Sequence, residues 1–184
     1  MKKRILMLSL LAVCLSLCIG GTLAYYSSSE IARNVITAGN IKIELIETDG
    51  EGNPFQDVSG VLPGMDIDKV VTVKNTGDNA CWVRIAVEKE ILLDKGVEGE
   101  PDVSVIGIDF NDTDWTEEDG YYYYNNKLEP SETTEALFTK VTFAGREMGN
   151  MYQKCKAHVT VKVEATQWAN NGDNVMDAKG WPNA

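Results

Sequence analysis

The chain has 184 residues, with 17 Lys and Arg against 28 Asp and Glu, one His and four Cys. So acidic a chain repels phosphates and is a poor nucleic-acid binder. A single His excludes most His-dependent metal and catalytic constellations, which draw on several such side chains. Residues 1–24 differ from the rest. Lys2, Lys3 and Arg4 precede an apolar run, 5–19, and Gly20, Gly21, Thr22, Leu23 and Ala24 close it. These are the charged, apolar and small-residue parts of a secretory signal peptide, with the cut expected between Ala24 and Tyr25. The run is about 15 residues, short of the roughly 20 that a membrane-spanning helix needs. Val13 and Leu17, before Cys14 and Cys18, are too large for a lipoprotein cleavage site. Removing residues 1–24, with three basic and no acidic side chains, leaves 160 residues and takes the net charge from −11 to −14. One domain with a proper core fits that length.

Residues 25–39 form an extended N-terminal segment that is polar and weakly patterned. A strand is predicted at 41–45, then a loop rich in Gly, Asp and Pro at 49–64. The next strand, 69–74, ends in the turn cluster Asn75-Thr76-Gly77-Asp78-Asn79. Cys81–Leu92 reads as a long strand, followed by an acidic loop at 94–102 and a short apolar run at 103–108. Residues 111–120 read as a second acidic loop holding Trp115. Tyr121, Tyr122, Tyr123 and Tyr124 form a strand that turns toward Leu128. Further strands fall within 133–143 and at 157–167, and 170–184 is a polar tail with Trp181. No segment keeps a 3.6-residue apolar period. Seven or eight short strands rich in Val, Ile, Thr and Tyr give an all-β fold. The expected form is an antiparallel β-sandwich, with jelly-roll or immunoglobulin-like connections, over residues 40–169.

Cys81 and Cys155 each open an alternating run whose odd positions are apolar, so each belongs on a buried strand face. In an exported chain the natural reading is a disulfide joining two strands near their starts, and the alternative is two separately buried thiols. His158 falls on the polar face of its strand beside Lys156, Thr160 and Lys162. Asp109, Asn111, Asp112 and Asp114 are dense in oxygen ligands of the kind calcium takes, yet lack the glycine and the distant Glu of the helix-loop-helix calcium site. A solvated acidic loop accounts for them as well. Alternation puts two of the four tyrosines in the core and two outside, where they form a candidate contact patch. No cofactor and no metal is implied, and composition points away from an enzyme.

Four stretches carry a resemblance. They are Gly20 to Ser27 with Asn34 to Ile43; Val73-Lys74-Asn75-Thr76-Gly77-Asp78; Asp119 to Tyr124 with Leu128 to Thr134; and Val163-Glu164-Ala165-Thr166-Gln167-Trp168. In this order and spacing the chain resembles the camelysin and TasA-type family of exported matrix proteins of Gram-positive bacteria. The resemblance implies cleavage by a dedicated signal peptidase and a jelly-roll sandwich. It also implies secretion to the matrix or cell surface, and assembly into biofilm fibres with copies of itself or related subunits. The membrane is then touched through the signal peptide alone. The two mature cysteines depart from the TasA-type pattern.

A fibre also has a physical route. A sandwich lacking one strand leaves an edge that an extended peptide can complete. Residues 25–37, fully extended, reach roughly 40 Å, enough to span to a neighbour. Ile31, Val35 and Ile36 are its candidate anchors, although Ile36 has the opposite parity. The same segment could instead be a leader, or complete its own sheet. Two other functions stay open. One is the metallopeptidase activity that the camelysin name carries, for which no zinc motif is present. The other is a surface adhesion or carbohydrate-binding sandwich using the exposed tyrosines.

Overall fold

A computed structural model of the chain describes residues 41–56 and 63–182. Eight strands follow in order: β1 Ile43–Thr48, β2 Asp66–Asn75, β3 Cys81–Leu92, β4 Ile106–Ile108, β5 Trp115–Glu118, β6 Tyr121–Tyr124, β7 Phe138–Phe143 and β8 Lys156–Gln167. Among the described residues there is no α-helix; three single 3-10 turns, at Val103–Val105, Asn150–Tyr152 and Val175–Asp177, complete the set. The strands form two four-stranded sheets of order β1-β2-β7-β4 and β5-β6-β3-β8, and every pairing is antiparallel. The all-β sandwich is therefore the observed fold. Two hairpins, β1–β2 and β5–β6, stay within a sheet, while β2, β3 and β4, and again β6, β7 and β8, alternate between sheets. That interleaving is jelly-roll-like.

Period-two alternation builds the core. Cys81, Val83 and Ile85 of β3 and Val161, Val163 and Ala165 of β8 point inward with Ile43, Val71, Val73, Phe138 and Val141 of the facing sheet. Asn75, fully buried, pins the turn into β3: its Nδ2 donates to the Asn79 carbonyl at 2.8 Å and to the Leu128 carbonyl at 3.0 Å. Its Oδ1 accepts from the Gly77 N–H at 2.9 Å. The Asn-Thr-Gly run is thus a structural hub between the sheets. Asp109 ties β4 to β7 by accepting from Thr139 N, Thr139 Oγ1 and Lys140 N at 2.9, 2.6 and 2.6 Å.

Two sequence expectations change. The acidic stretch at 111–120 contains β5, with Trp115 buried, and Asp119-Gly120 makes the hairpin turn to β6 with φ of 51° and 78°. Both residues sit in the left-handed region that a two-residue Asp-Gly hairpin turn requires. The 170–184 tail is folded at least to residue 182. Val175 and Ala178 are buried on the outer face of β6 and β3, forming a second small core with Trp82 and Tyr123.

The disulfide expectation is overturned: Cys81 and Cys155 are free thiols. Cys81 pairs with Gln167, whereas Cys155 precedes Lys156, which pairs with Leu92 at the other end of the ladder. Twelve residue steps at about 3.3 Å separate them by roughly 40 Å, against a reach of about 7 Å between bonded Cα atoms. Antiparallel neighbours begin at opposite ends, so two cysteines that each open a strand cannot meet when those strands pair. Burial pushes the Cys81 thiol from an ordinary 9.0 up to about 12, and burial also raises Cys155, which is partly exposed. A thiol reagent at pH 8 is accordingly expected to titrate Cys155 and spare Cys81 in the folded chain beginning at residue 25, and to titrate both in denaturant. A reading of no thiol in denaturant would restore the disulfide. Above the unfolded value the unfolded chain loses a proton that folded Cys81 keeps, so stability declines as pH rises from about 9 toward 12.

Candidate functional site

The four tyrosines do not form an exposed patch. Tyr122 and Tyr124 face the core, where Tyr122 stacks on Phe110 at 4.2 Å and Tyr124 tilts against Trp115 at 5.0 Å. Tyr121 and Tyr123 face outward as alternation requires, but the C-terminal segment covers them. Trp181 meets Tyr123 edge-on at 5.8 Å. Beneath it lies Arg84, whose guanidinium carbon is 3.9 Å from the Tyr121 ring centroid and 4.7 Å from that of Trp181. Arg84 Nε donates to Glu164 Oε2 at 2.7 Å, and its Nη2 completes the ion pair. Burial works against the Arg84 charge, and hydrogen bonds to Tyr123 and Glu164 outweigh it, holding the guanidinium above its usual value. Trp82 Nε1 donates to the Asn171 carbonyl at 3.1 Å, and the Asn171 side chain exchanges hydrogen bonds with the Lys179 backbone at 2.9 and 2.8 Å. This face is a closed aromatic and ionic clamp on the chain's own C-terminal end.

The available metal donors are dispersed. His158 stands on the exposed outer face of β8, opposite Glu90 and between Lys156 and Lys162. Asp109 is committed to Thr139 and Lys140. Asn111 Nδ2 donates to Asp114 Oδ2 at 2.9 Å, and Asn111 Oδ1 accepts from the Thr113 N–H, so this loop is ordered by its own hydrogen bonds. Among the described residues no group of three or more His, Cys, Asp or Glu could hold a metal ion. No helix among them is long and apolar enough to cross a membrane.

β8 is an edge strand of its sheet among the described residues. Among the described residues β8, twelve residues long, pairs with β3 and with no strand on its other side. Val161, Val163 and Ala165 on its inner face are buried, but Ala157 and Val159 on that same face are only partly covered. At the Gln167 end of β8 a groove of about 440 Å³ is lined by Ile41, Ala80, Pro130, Trp168 and Ala169 among others. Trp168 is 38% exposed there, with Lys127 Nζ over its ring at 4.7 Å. The groove thus joins the start of the first sheet's chain to the finish of β8. Sequence reasoning missed both this groove and the Arg84 clamp. For the clamp a signal existed: a lone Arg amid the apolar alternation of β3. The expected cleavage pair Ala24 and Tyr25, and the anchors Ile31, Val35 and Ile36, lie outside the described residues.

The family model for camelysin metallo-endopeptidases matches residues 1–94, which ends just past β3. No curated protein and no solved structure matches the chain.

Proposed function

The chain belongs to the camelysin metallo-endopeptidase family, and from that premise we propose that it is a secreted structural protein of a Gram-positive extracellular matrix. In this reading it self-assembles into fibres by N-terminal strand donation. The observation that carries the reading is the twelve-residue β8, which pairs on one side only among the described residues. Its N–H and C=O groups that meet no partner strand among the described residues are a ready template for another chain, and its half-covered Ala157 and Val159 are apolar surface that an added strand would bury. Strand addition of this kind combines main-chain hydrogen bonds with side-chain pockets. Donated from copy to copy, it is a head-to-tail contact that does not close on itself and so grows a filament.

The family's name implies a metal, and among the described residues the donor set does not fit one. A hydrolytic zinc needs three protein ligands around an open position. This chain has one His, which faces solvent between two lysines. The buried Cys81 thiol is held neutral, Asp109 is taken up by Thr139 and Lys140, and Asp114 accepts from the Asn111 side chain. No step of peptide hydrolysis is derived for it. The adhesion reading loses the surface it relied on, because the outward tyrosines lie under Trp181 and its neighbours.

Negative-stain microscopy of residues 25–184 beside residues 39–184 tests the proposal. Filaments from the longer protein and none from the shorter are expected. Monomers from both would overturn it.

A further inference from the structure

We propose that the groove at the Gln167 end of β8 is a saccharide-binding site, with the Trp168 ring as its platform and a neutral, hydroxyl-rich sugar chain as its ligand. The site is separate from the outward tyrosines and does not depend on strand donation.

Three stretches of chain build it. The turn before β3 supplies Asp78 and Asn79, the bend after Leu128 supplies Glu129, and the finish of β8 supplies Gln167 and Trp168. Hydrogen bonds tie these stretches to one another. Cys81 N donates to the Leu128 carbonyl at 3.0 Å, Leu128 N donates to the Cys81 carbonyl at 2.9 Å, and Trp168 N donates to the Ala80 carbonyl at 3.1 Å. The Asn75 side chain links the turn and the bend by donating to the Asn79 and Leu128 carbonyls. The walls are therefore set before a ligand arrives, which spares the ordering cost that weakens binding to mobile loops. The volume of about 440 Å³ falls within the roughly 300–1,000 Å³ of small-molecule sites.

The lining selects the ligand. Trp168 is 38% exposed and belongs to neither hydrophobic core. The flat, electron-rich face of an indole suits the slightly positive C–H face of a pyranose ring. Lys127 Nζ lies 4.7 Å from the ring centroid and 2.6 Å from Glu129 Oε1, so this ion pair steadies the ring from one side. The Asn79 and Gln167 amides offer both donors and acceptors, and the Asp78 and Glu129 carboxylates accept from hydroxyls. Gln167 Nε2 donates to the Ala169 carbonyl at 3.1 Å, which fixes the orientation of that side chain. Two carboxylates line the groove, and the ammonium beside Trp168 is already paired with one of them. Phosphates, sulfates and uronic acids are therefore repelled, whereas uncharged hydroxyls are not.

Fluorescence titration of the dilute chain from residue 25 tests the site. Of its four tryptophans Trp168 is the exposed one, so a ligand in the groove changes its emission first. Cellohexaose, N-acetylchitohexaose and mannohexaose are the neutral probes, and an oligogalacturonate of similar length is the anionic one. At least one neutral probe is expected to give a saturable shift with a Kd of about 1 mM or tighter, and the anionic probe none. In saturation-transfer NMR of the bound sugar, Trp168→Ala should abolish the signal and Asn79→Ala should weaken binding about fivefold, as loss of one hydrogen bond does. Both variants should keep the parent's urea midpoint, since neither side chain belongs to a core; Asn79→Ala decides the case if Trp168→Ala does not fold. No saturable shift with any neutral probe at about 10 mM overturns the proposal, as does binding that Trp168→Ala retains or that the oligogalacturonate matches. Strand donation is judged apart: filaments from Trp168→Ala leave it standing whatever the sugars do, and sugar binding by a chain that forms no filaments leaves the groove standing.

Discussion

Replacing Glu164 with alanine is expected to lower the unfolding free energy by about 3–5 kcal/mol, the usual cost of stranding one member of a buried ion pair. The Glu164 and Arg84 side chains are 8% and 13% exposed. Without the carboxylate the guanidinium stays under Trp181 and Tyr121 with only the Tyr123 hydroxyl as acceptor, at 3.3 Å. The strand pairing is unaffected, since Arg84 and Glu164 are cross-strand partners whose backbones keep their ladder. The loss therefore reports on the clamp itself. Urea unfolding of the chain from residue 25 should show a lower midpoint at an unchanged slope. The double change Arg84→Met with Glu164→Leu should recover most of the loss, because two apolar side chains of similar size need no partner. A single change costing under about 1 kcal/mol would mean that water reaches the pair.

Trp115→Ala is expected to cost a further independent 3–5 kcal/mol, roughly what removal of a buried aromatic costs. Trp115 is 2% exposed and is the largest of the fully buried side chains. It opens a strand of four residues whose other three are exposed, so this one side chain fastens the β5 edge to the core. Its Nε1 donates to the Glu135 carbonyl at 3.2 Å, a bond worth about 1 kcal/mol net. Trp115→Phe should therefore lose far less than Trp115→Ala. Similar losses for both would assign the stabilisation to the hydrogen bond rather than to the ring. The two sites use different faces of the second sheet, so their effects should add.

The strands legible in the sequence were those whose alternation runs long. Cys81–Leu92 is a strand with the bounds its pattern predicts, and β8 adds Lys156 to the predicted 157–167. β5 was hidden because three of its four residues are acidic or polar, as befits an edge strand facing water. The Asp119-Gly120 turn was the surer signal. The fate of the cysteines turned on pairing, which composition does not encode. Cys81 and Cys155 occupy equivalent places in their runs, yet antiparallel register sends them to opposite ends. The tyrosines obeyed strand parity, and the outer pair was lost as a surface to a tail whose polar residues concealed Val175, Ala178 and Trp181. Charged and amide groups there, such as Asn171 and Lys179, serve as internal hydrogen-bond partners, a role that hydropathy cannot distinguish from solvation.

The C-terminal clamp also sets the order in which the protein can be finished. β3 lies at the centre of its sheet, and one of its two neighbours, β8, is the last strand made, with Cys81 and Gln167 opposed across more than 80 positions of chain. Until residues 156–182 have been synthesised, β3 lacks that neighbour, Arg84 has no carboxylate and Trp82 no cover. Contacts between such distant positions form slowly, because the loop must close before they contribute. A nascent chain that stops between Phe143 and Lys156 thus holds all four strands of the first sheet and lacks β8 of the second, and commitment to the native state waits for its last thirty or so residues.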